Sequence, residues 1–273
     1  MQSLPPFLMA GTSSLIAGFF LYAVSARSAP APKWFHWKNA LIVALSMLVV
    51  GNGCVVWAEQ KVPSAVTALI LATEPAWMVL LSWLFFGEKK PAPPVFAGIL
   101  LGLGGVTALV GGGLSGVAAF PLFDAFLVLV AALAWSWGSL YCRRAELPKS
   151  SFLSIAMPLI LGGFLLSLMG LATGEWGRLD LSRLPAAAAG SFLYITLVSY
   201  AATYAAYLWL LKNVSIGRVS TYAYVNPLVA LALGVWLAGE AVTWATLAGG
   251  AAILASVVLI LKYSTSTPTE SAR

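Results

Sequence analysis

Histidine, cysteine and acidic side chains are all scarce in this chain, which has one histidine, two cysteines and nine Asp plus Glu in 273 residues. A metal centre needs several such groups close together. Neither the lone His36 nor the separated Cys54 and Cys142 has ligand spacing. The same shortage excludes a disulfide framework. A Walker-type glycine-rich phosphate loop is also missing, which excludes direct drive by nucleotide hydrolysis. No metal, no cofactor and no catalytic residue is therefore expected.

Charge as a whole is equally sparse, at 9% of residues, while 60% are hydrophobic and the mean hydropathy is +0.92. A soluble domain of this length has no interior large enough for that much apolar surface, whereas a bilayer requires it. Runs long enough to cross a hydrocarbon core lie near 6–26, 40–58, 63–86, 94–113, 121–142, 151–173, 187–211, 217–238 and 243–262. Their continuity excludes the alternating pattern of a barrel, so the expected fold is all-α and polytopic, with nine transmembrane helices. The first run is expected to be a retained helix. Residues 1–5 lack the basic start of a signal peptide, and the apolar stretch is too long for one.

The net charge of +6 does not point to nucleic acid, because the basic residues are sorted by side. Arg27, Lys33, Lys38, Lys89, Lys90, Arg143, Arg144, Lys149, Lys212, Arg218, Lys262 and Arg273 fall on one side, against Lys61, Arg178 and Arg183 on the other. The positive-inside rule puts the richer side, and the C-terminus, in the cytoplasm.

What is present is a duplication. With a constant offset of 152, residues 57–109 align without a gap on 209–261. Trp57 falls on Trp209, Pro75 on Pro227, Gly87-Glu88 on Gly239-Glu240, and Gly98 on Gly250. An odd number of crossings separates the copies, so the second is inverted relative to the first, the usual architecture of a membrane carrier. The first repeat spans 1–113 with four helices, the second 121–262 with five, and 263–273 forms a cytoplasmic tail. The helix at 121–142, with Trp135-Ser136-Trp137-Gly138-Ser139, has no counterpart, which fits either a ten-helix ancestor whose first helix is absent here or a functional state of nine helices.

Val62-Pro63-Ser64-Ala65, Ala72-Thr73-Glu74-Pro75, Phe86-Gly87-Glu88 and Gly98-Ile99-Leu100-Leu101-Gly102 resemble the first repeat of the EamA-type transporters of the drug/metabolite transporter superfamily. Trp137-Gly138-Ser139, Asn213-Val214-Ser215 and Ala223-Tyr224-Val225-Asn226-Pro227 resemble the second, and YedA-like permeases are the subgroup they suggest. The resemblance implies two inverted five-helix repeats and secondary transport of small metabolites, often outward. The chain departs from it in the absent first helix and in Ser13-Ser14, where many relatives place Arg-Phe.

Glu74 is the acid that physics singles out. It lies about twelve residues, or roughly 18 Å, into the third run, near the bilayer midplane. An ionised carboxylate costs several kcal/mol there, so it either faces a polar cavity with a function or is a neutral, hydrogen-bonded structural acid. The repeat maps it onto Asn226, and each precedes a proline that removes a helix hydrogen bond, so Pro75 and Pro227 are candidate hinges at helix irregularities. Tyr200, Tyr204 and Tyr207 share one helix face, as do Tyr222 and Asn226. The expected substrate residues are Glu74, Asn226, Trp57, Tyr200, Tyr204 and Tyr222, around one central cavity, though ordinary packing is the competing reading for each tyrosine. Trp34, Trp37, Trp176 and Trp244 read as interface anchors. Glu88 and Glu240 read as helix caps or solvated groups.

The function this supports is a secondary carrier exporting small metabolites such as amino acids by alternating access. The alternatives are a non-transporting or decayed permease or partner protein, and an integral-membrane enzyme. The enzyme would need clustered Asp, His or Cys, and His36, expected in a loop, has no acidic pair near it. A small-molecule substrate and membrane lipid are the expected partners, without nucleic acid, for a monomer or homodimer. The charge bias predicts that a cysteine introduced into loop 87–93 resists an impermeant thiol reagent added outside intact cells, and rapid labelling there overturns the orientation.

Overall fold

The computed structural model describes residues 5–26, 29–112, 121–179, 186–214, 219, 222–238 and 242–264. Arg27, Arg183, Ser215, Arg218, Gly239, Glu240 and Arg273 lie outside the described residues. In chain order the helices are α1 (Pro6–Ala26), α2 (Trp34–Val43), α3 (Gly53–Ala58), α4 (Ser64–Leu71), α5 (Glu74–Phe86), α6 (Pro93–Gly112), α7 (Leu122–Arg144), α8 (Ser151–Ala172), α9 (Ala186–Tyr194), α10 (Tyr204–Asn213), α11 (Tyr222–Ala238) and α12 (Trp244–Ser264). A π-helical segment, π1 (Ala44–Asn52), joins α2 to α3 without a break, and π2 (Ile195–Thr203) joins α9 to α10. Among the described residues, seven helical stretches are long and apolar enough to cross a bilayer, and shorter apolar stretches occur at Pro93–Ala108 and Leu228–Leu237. Each of the nine expected runs is largely helical over its described residues.

One boundary differs from the sequence reading. The second helical stretch starts at Trp34, not near residue 40, so His36 is helical and not in a loop. Its Nδ1 accepts the Lys33 N–H at 3.1 Å, satisfying a donor at the helix start. Trp37 stacks on Tyr22 at 6.3 Å and packs with Ala40, Leu153 and Met157. The aromatic start therefore has a helical face to bury, and this extends the helix backwards. Trp34, Trp176 and Trp244 are exposed, as interface anchors would be.

The chain folds as two compact units, residues 1–60 with 137–214 and residues 61–136 with 215–273. Neither coincides with a sequence repeat, since each takes a piece of both. The reason is visible inside the second unit, where repeat-equivalent helices pack on each other. The α6 range plus 152 gives 245–264, and α12 is Trp244–Ser264; α5 plus 152 ends at 238, where α11 ends. Gly98 faces Ile260, Gly102 faces Ser256, and Gly105 faces Ile253 and the Gly249 carbonyl. These partners descend as the glycines ascend, so α6 and α12 run antiparallel, as inverted copies must. Small residues at every contact let the backbones approach closely, which is how apolar helices gain contact where no hydrophobic drive separates helix from lipid. At the end of α5, Gly87 adopts φ 69°, a left-handed cap, and the Glu88 N–H reaches back to the Ser82 carbonyl at 3.1 Å.

The first unit repeats this logic. Gly11 and Leu15 of α1 meet Gly163 of α8, and Gly18 meets Ile160. Glu175, in a short 3₁₀ turn (Glu175–Arg178), is buried and accepts the N–H groups of Phe7 at 3.3 Å and Leu8 at 2.8 Å. A carboxylate thus satisfies donors at the start of α1 and complements its dipole.

A methyl group at Gly105 would lie 2.8 Å from the Gly249 carbonyl oxygen, while one at Gly104 would meet nothing within 4 Å. Gly105→Ala should therefore destabilise the protein by about 1–3 kcal/mol in thermal unfolding. Gly104→Ala should be neutral or stabilising by up to about 1 kcal/mol, since alanine is the better helix former. Equal effects would contradict the packing.

Candidate substrate site

In the second unit, the α4–α5 stretch is interrupted at Ala72-Thr73. Pro75 has no N–H to return to the Leu71 carbonyl, and its ring crowds that oxygen, which permits the α-helix to break here. The backbone tightens instead. The Ala72 N–H bonds the carbonyls of Ala68 and Leu69 at 3.0 and 3.2 Å, and the Thr73 N–H bonds Ile70 at 3.1 Å. Side chains brace the turn, with Thr73 Oγ1 donating to the Ile70 carbonyl at 2.7 Å and Trp77 Nε1 donating to Thr73 Oγ1 at 3.2 Å.

Glu74 follows immediately, in the first turn of α5, where the helix dipole favours a negative charge. It is only 6% exposed. Its carboxylate accepts a short hydrogen bond from the Tyr222 hydroxyl, and its backbone carbonyl accepts Ser136 Oγ at 3.2 Å. The acid and the helix break thus form one feature: proline opens the helix, and a tyrosine from the inverted copy meets the carboxylate beside the opening. Asn226, one turn beyond Tyr222, is exposed. The second expected irregularity does not occur, because α11 continues as a regular helix through Pro227.

In the first unit, Tyr200, Tyr204 and Tyr207 are all buried, as their shared face requires. The Tyr200 hydroxyl accepts Asn52 Nδ2 at 2.5 Å, and the Tyr207 hydroxyl lies 2.9 Å from Ser139 Oγ. Trp57 is 39% exposed, with its ring 6.2 Å from that of Phe7.

The structure therefore joins Glu74 to Tyr222 in one unit and gathers Tyr200 and Tyr204 in the other. Sequence reasoning missed Asn52, Ser136 and Ser139. A signal for Asn52 was available: it is a lone amide between Gly51 and Gly53 in an apolar run, and the offset of 152 maps it onto Tyr204. Ser136 and Ser139 lie on the helix without a repeat partner, so the repeat carried no signal for them.

The comparisons agree with this architecture. The EamA-like transporter family matches residues 1–111 and 122–262. The chain is 35% identical over 272 residues to “Uncharacterized inner membrane transporter YedA” of Escherichia coli, covering 96% of this chain and 84% of that protein. It is 29% identical over 212 residues to “Probable terminal-alkyne amino-acid exporter” of Streptantibioticus cattleyicolor, covering 75% of this chain and 66% of that one. Against “Probable amino-acid metabolite efflux pump” of Salmonella typhimurium it is 24% identical over 273 residues, covering 95% and 86%. A solved crystal structure, 18% identical, shares the fold with a TM-score of 0.66 over 97% of this chain and 90% of that one. By this match across the chain and its likeness to a curated relative, the chain belongs to the EamA-like transporter family and is a multi-pass membrane transporter.

Proposed function

We propose that the protein is a secondary carrier of the cytoplasmic membrane that exports small metabolites, amino acids or related compounds, by alternating access. The observation that carries this reading is the buried Glu74 carboxylate at the α4–α5 break, held by Tyr222. A carboxylate so placed gives up hydration and depends on the protein groups that partner it, Tyr222 among them. An entering solute or proton that partners it changes the balance of the break itself. The exporter and efflux names of the relatives from Streptantibioticus cattleyicolor and Salmonella typhimurium support the substrate class and the direction.

In this reading Glu74 is the coupling group, Tyr222 its exchangeable partner and Pro75 the hinge. Asn226 contacts the solute from the equivalent position of the second copy, and Pro227 beside it is a hinge only if α11 opens during the cycle, since α11 is continuous through it here. Trp57, Tyr200 and Tyr204 supply aromatic and hydroxyl contacts for a partly apolar solute. The loops bearing Lys33, Lys89 and Arg144 face the cytoplasm, and so does the C-terminus.

The test begins with thermal stabilisation of the purified protein across a panel of amino acids and related metabolites, followed by transport of the stabilising compounds in proteoliposomes. Glu74→Gln should leave folding intact and slow transport by roughly tenfold, a loss of about 1.4 kcal/mol, or change its pH dependence. Tyr222→Phe should do the same to a smaller extent. Unaltered rates across about pH 5 to 8 in Glu74→Gln would reduce the acid to a structural part.

A further inference from the structure

The two π-helical segments have no place in the reading above, yet they occupy equivalent positions in the two repeats. The repeat offset of 152 carries π1 (Ala44–Asn52) to 196–204, one residue from the range of π2, Ile195–Thr203. Each ends in a bond five residues long: the Gly53 N–H reaches the Leu48 carbonyl, and the Tyr204 N–H reaches that of Ser199. Near the start of each, a hydroxyl occupies a carbonyl one turn back. Ser46 Oγ bonds the Ile42 carbonyl at 2.7 Å, and Thr196 Oγ1 bonds that of Phe192 at 2.8 Å. Such hydroxyls compete with the backbone donor of the α pattern and favour slippage to the wider turn.

The slippage has a consequence for everything downstream. Removing one residue's worth of excess winding turns the rest of a helix by about 100°, the step of a helix with 3.6 residues per turn. Downstream of π1 lie Cys54 and Trp57; downstream of π2 lie Tyr204 and Tyr207. The phase of these residues is thus set by the π segments. The contact that ties the segments to each other is the hydrogen bond from Asn52, the last residue of π1, to Tyr200 within π2, both in the first unit. Gly51 and Gly53 flank Asn52, and glycine tolerates the backbone change that a shift between π and α winding needs.

We propose that Asn52 and Tyr200 form a latch that holds both π segments in their wide winding, and that its opening during the transport cycle rotates α3 and α10 and re-aims Trp57, Tyr204 and Tyr207. Asn52 is thereby a positioning residue, acting through the aromatic side chains it phases. The inference rests on the geometry of the first unit and stands apart from the role given to Glu74.

The natural thiols provide the test, because Cys54 is half-buried and follows π1, while Cys142 is fully buried. Labelling of Cys54 by N-ethylmaleimide is measured on the full chain in membrane vesicles, with Cys142→Ala as background. Tyr200→Phe removes one oxygen from a residue 146 positions away (200 − 54), and should change the Cys54 rate by about threefold or more. In the reverse direction, Asn52→Leu should raise deuterium uptake across residues 195–203. The two readouts are independent, so a variant that fails to fold leaves the other to decide. Ser139→Ala, which removes the hydroxyl beside Tyr207, is the control for general loosening and should move neither. A folded Tyr200→Phe with the natural Cys54 rate, a folded Asn52→Leu with unchanged exchange at 195–203, or a control that moves both would each overturn the latch.

Discussion

A polar backbone group surrounded by apolar atoms must find its hydrogen-bond partner inside the protein, and most of this structure follows from that constraint. It forces the long runs into helices, because only a helix satisfies its own backbone along its length. It also makes every departure from the regular helix conspicuous. The α4–α5 break is braced by the Thr73 hydroxyl on the Ile70 carbonyl and by Trp77 on that hydroxyl, and Ser46 and Thr196 occupy carbonyls beside the wider turns of the π segments. Departures that need such dedicated side chains are costly to keep, and they lie beside Glu74 in one unit and beside the tyrosines in the other.

The inverted repeat turns this local chemistry into architecture. Two copies of a helix related by inversion meet antiparallel, and the glycines on α6, set against Gly249, Ile253, Ser256 and Ile260 of α12, bring the backbones close. The same relation brings Tyr222 of the second copy to Glu74 of the first. The two residues are not equivalent positions, since Glu74 maps onto Asn226 and Tyr222 onto Ile70. The duplicated framework has thus diverged at its centre, keeping the packing while placing an acid in one copy and its hydroxyl partner in the other. Asn52 and Tyr200 follow the same pattern, because Asn52 maps onto Tyr204 and Leu48 onto Tyr200.

Much of this was legible in the sequence, and the rest was hidden for identifiable reasons. Helix number and placement follow from apolar length, which lipid enforces without help from tertiary contacts. Glu74 was legible because a buried acid is costly, and Pro75 because its missing N–H has a fixed consequence. Pro227 shows where that rule stops: a single lost bond permits a break and does not compel one. The early start of α2 was obscured because Trp34-Phe35-His36-Trp37 reads as an interfacial loop until Tyr22 and Met157 give it something to pack on. The π segments left no apolar signature at all, since the Ser46 and Thr196 bonds beside them have counterparts in the regular helices, such as Thr12 on Leu8 and Ser136 on Ala132. Each compact unit draws on both copies of the sequence repeat, because inverted helices bury their faces against their own equivalents.

The measurement that tests the inverted packing most directly is cysteine cross-linking between α6 and α12 in a chain lacking Cys54 and Cys142. A Cβ at Gly102 would lie 3.3 Å from Ser256 Cβ, close to the spacing of a disulfide. The account predicts that Gly102→Cys with Ser256→Cys forms a disulfide under mild oxidation in membranes, identified by mass spectrometry. Gly98→Cys with Gly250→Cys, equivalent positions held apart by the antiparallel register, should form none. A disulfide between 98 and 250 with none between 102 and 256 would contradict the inversion.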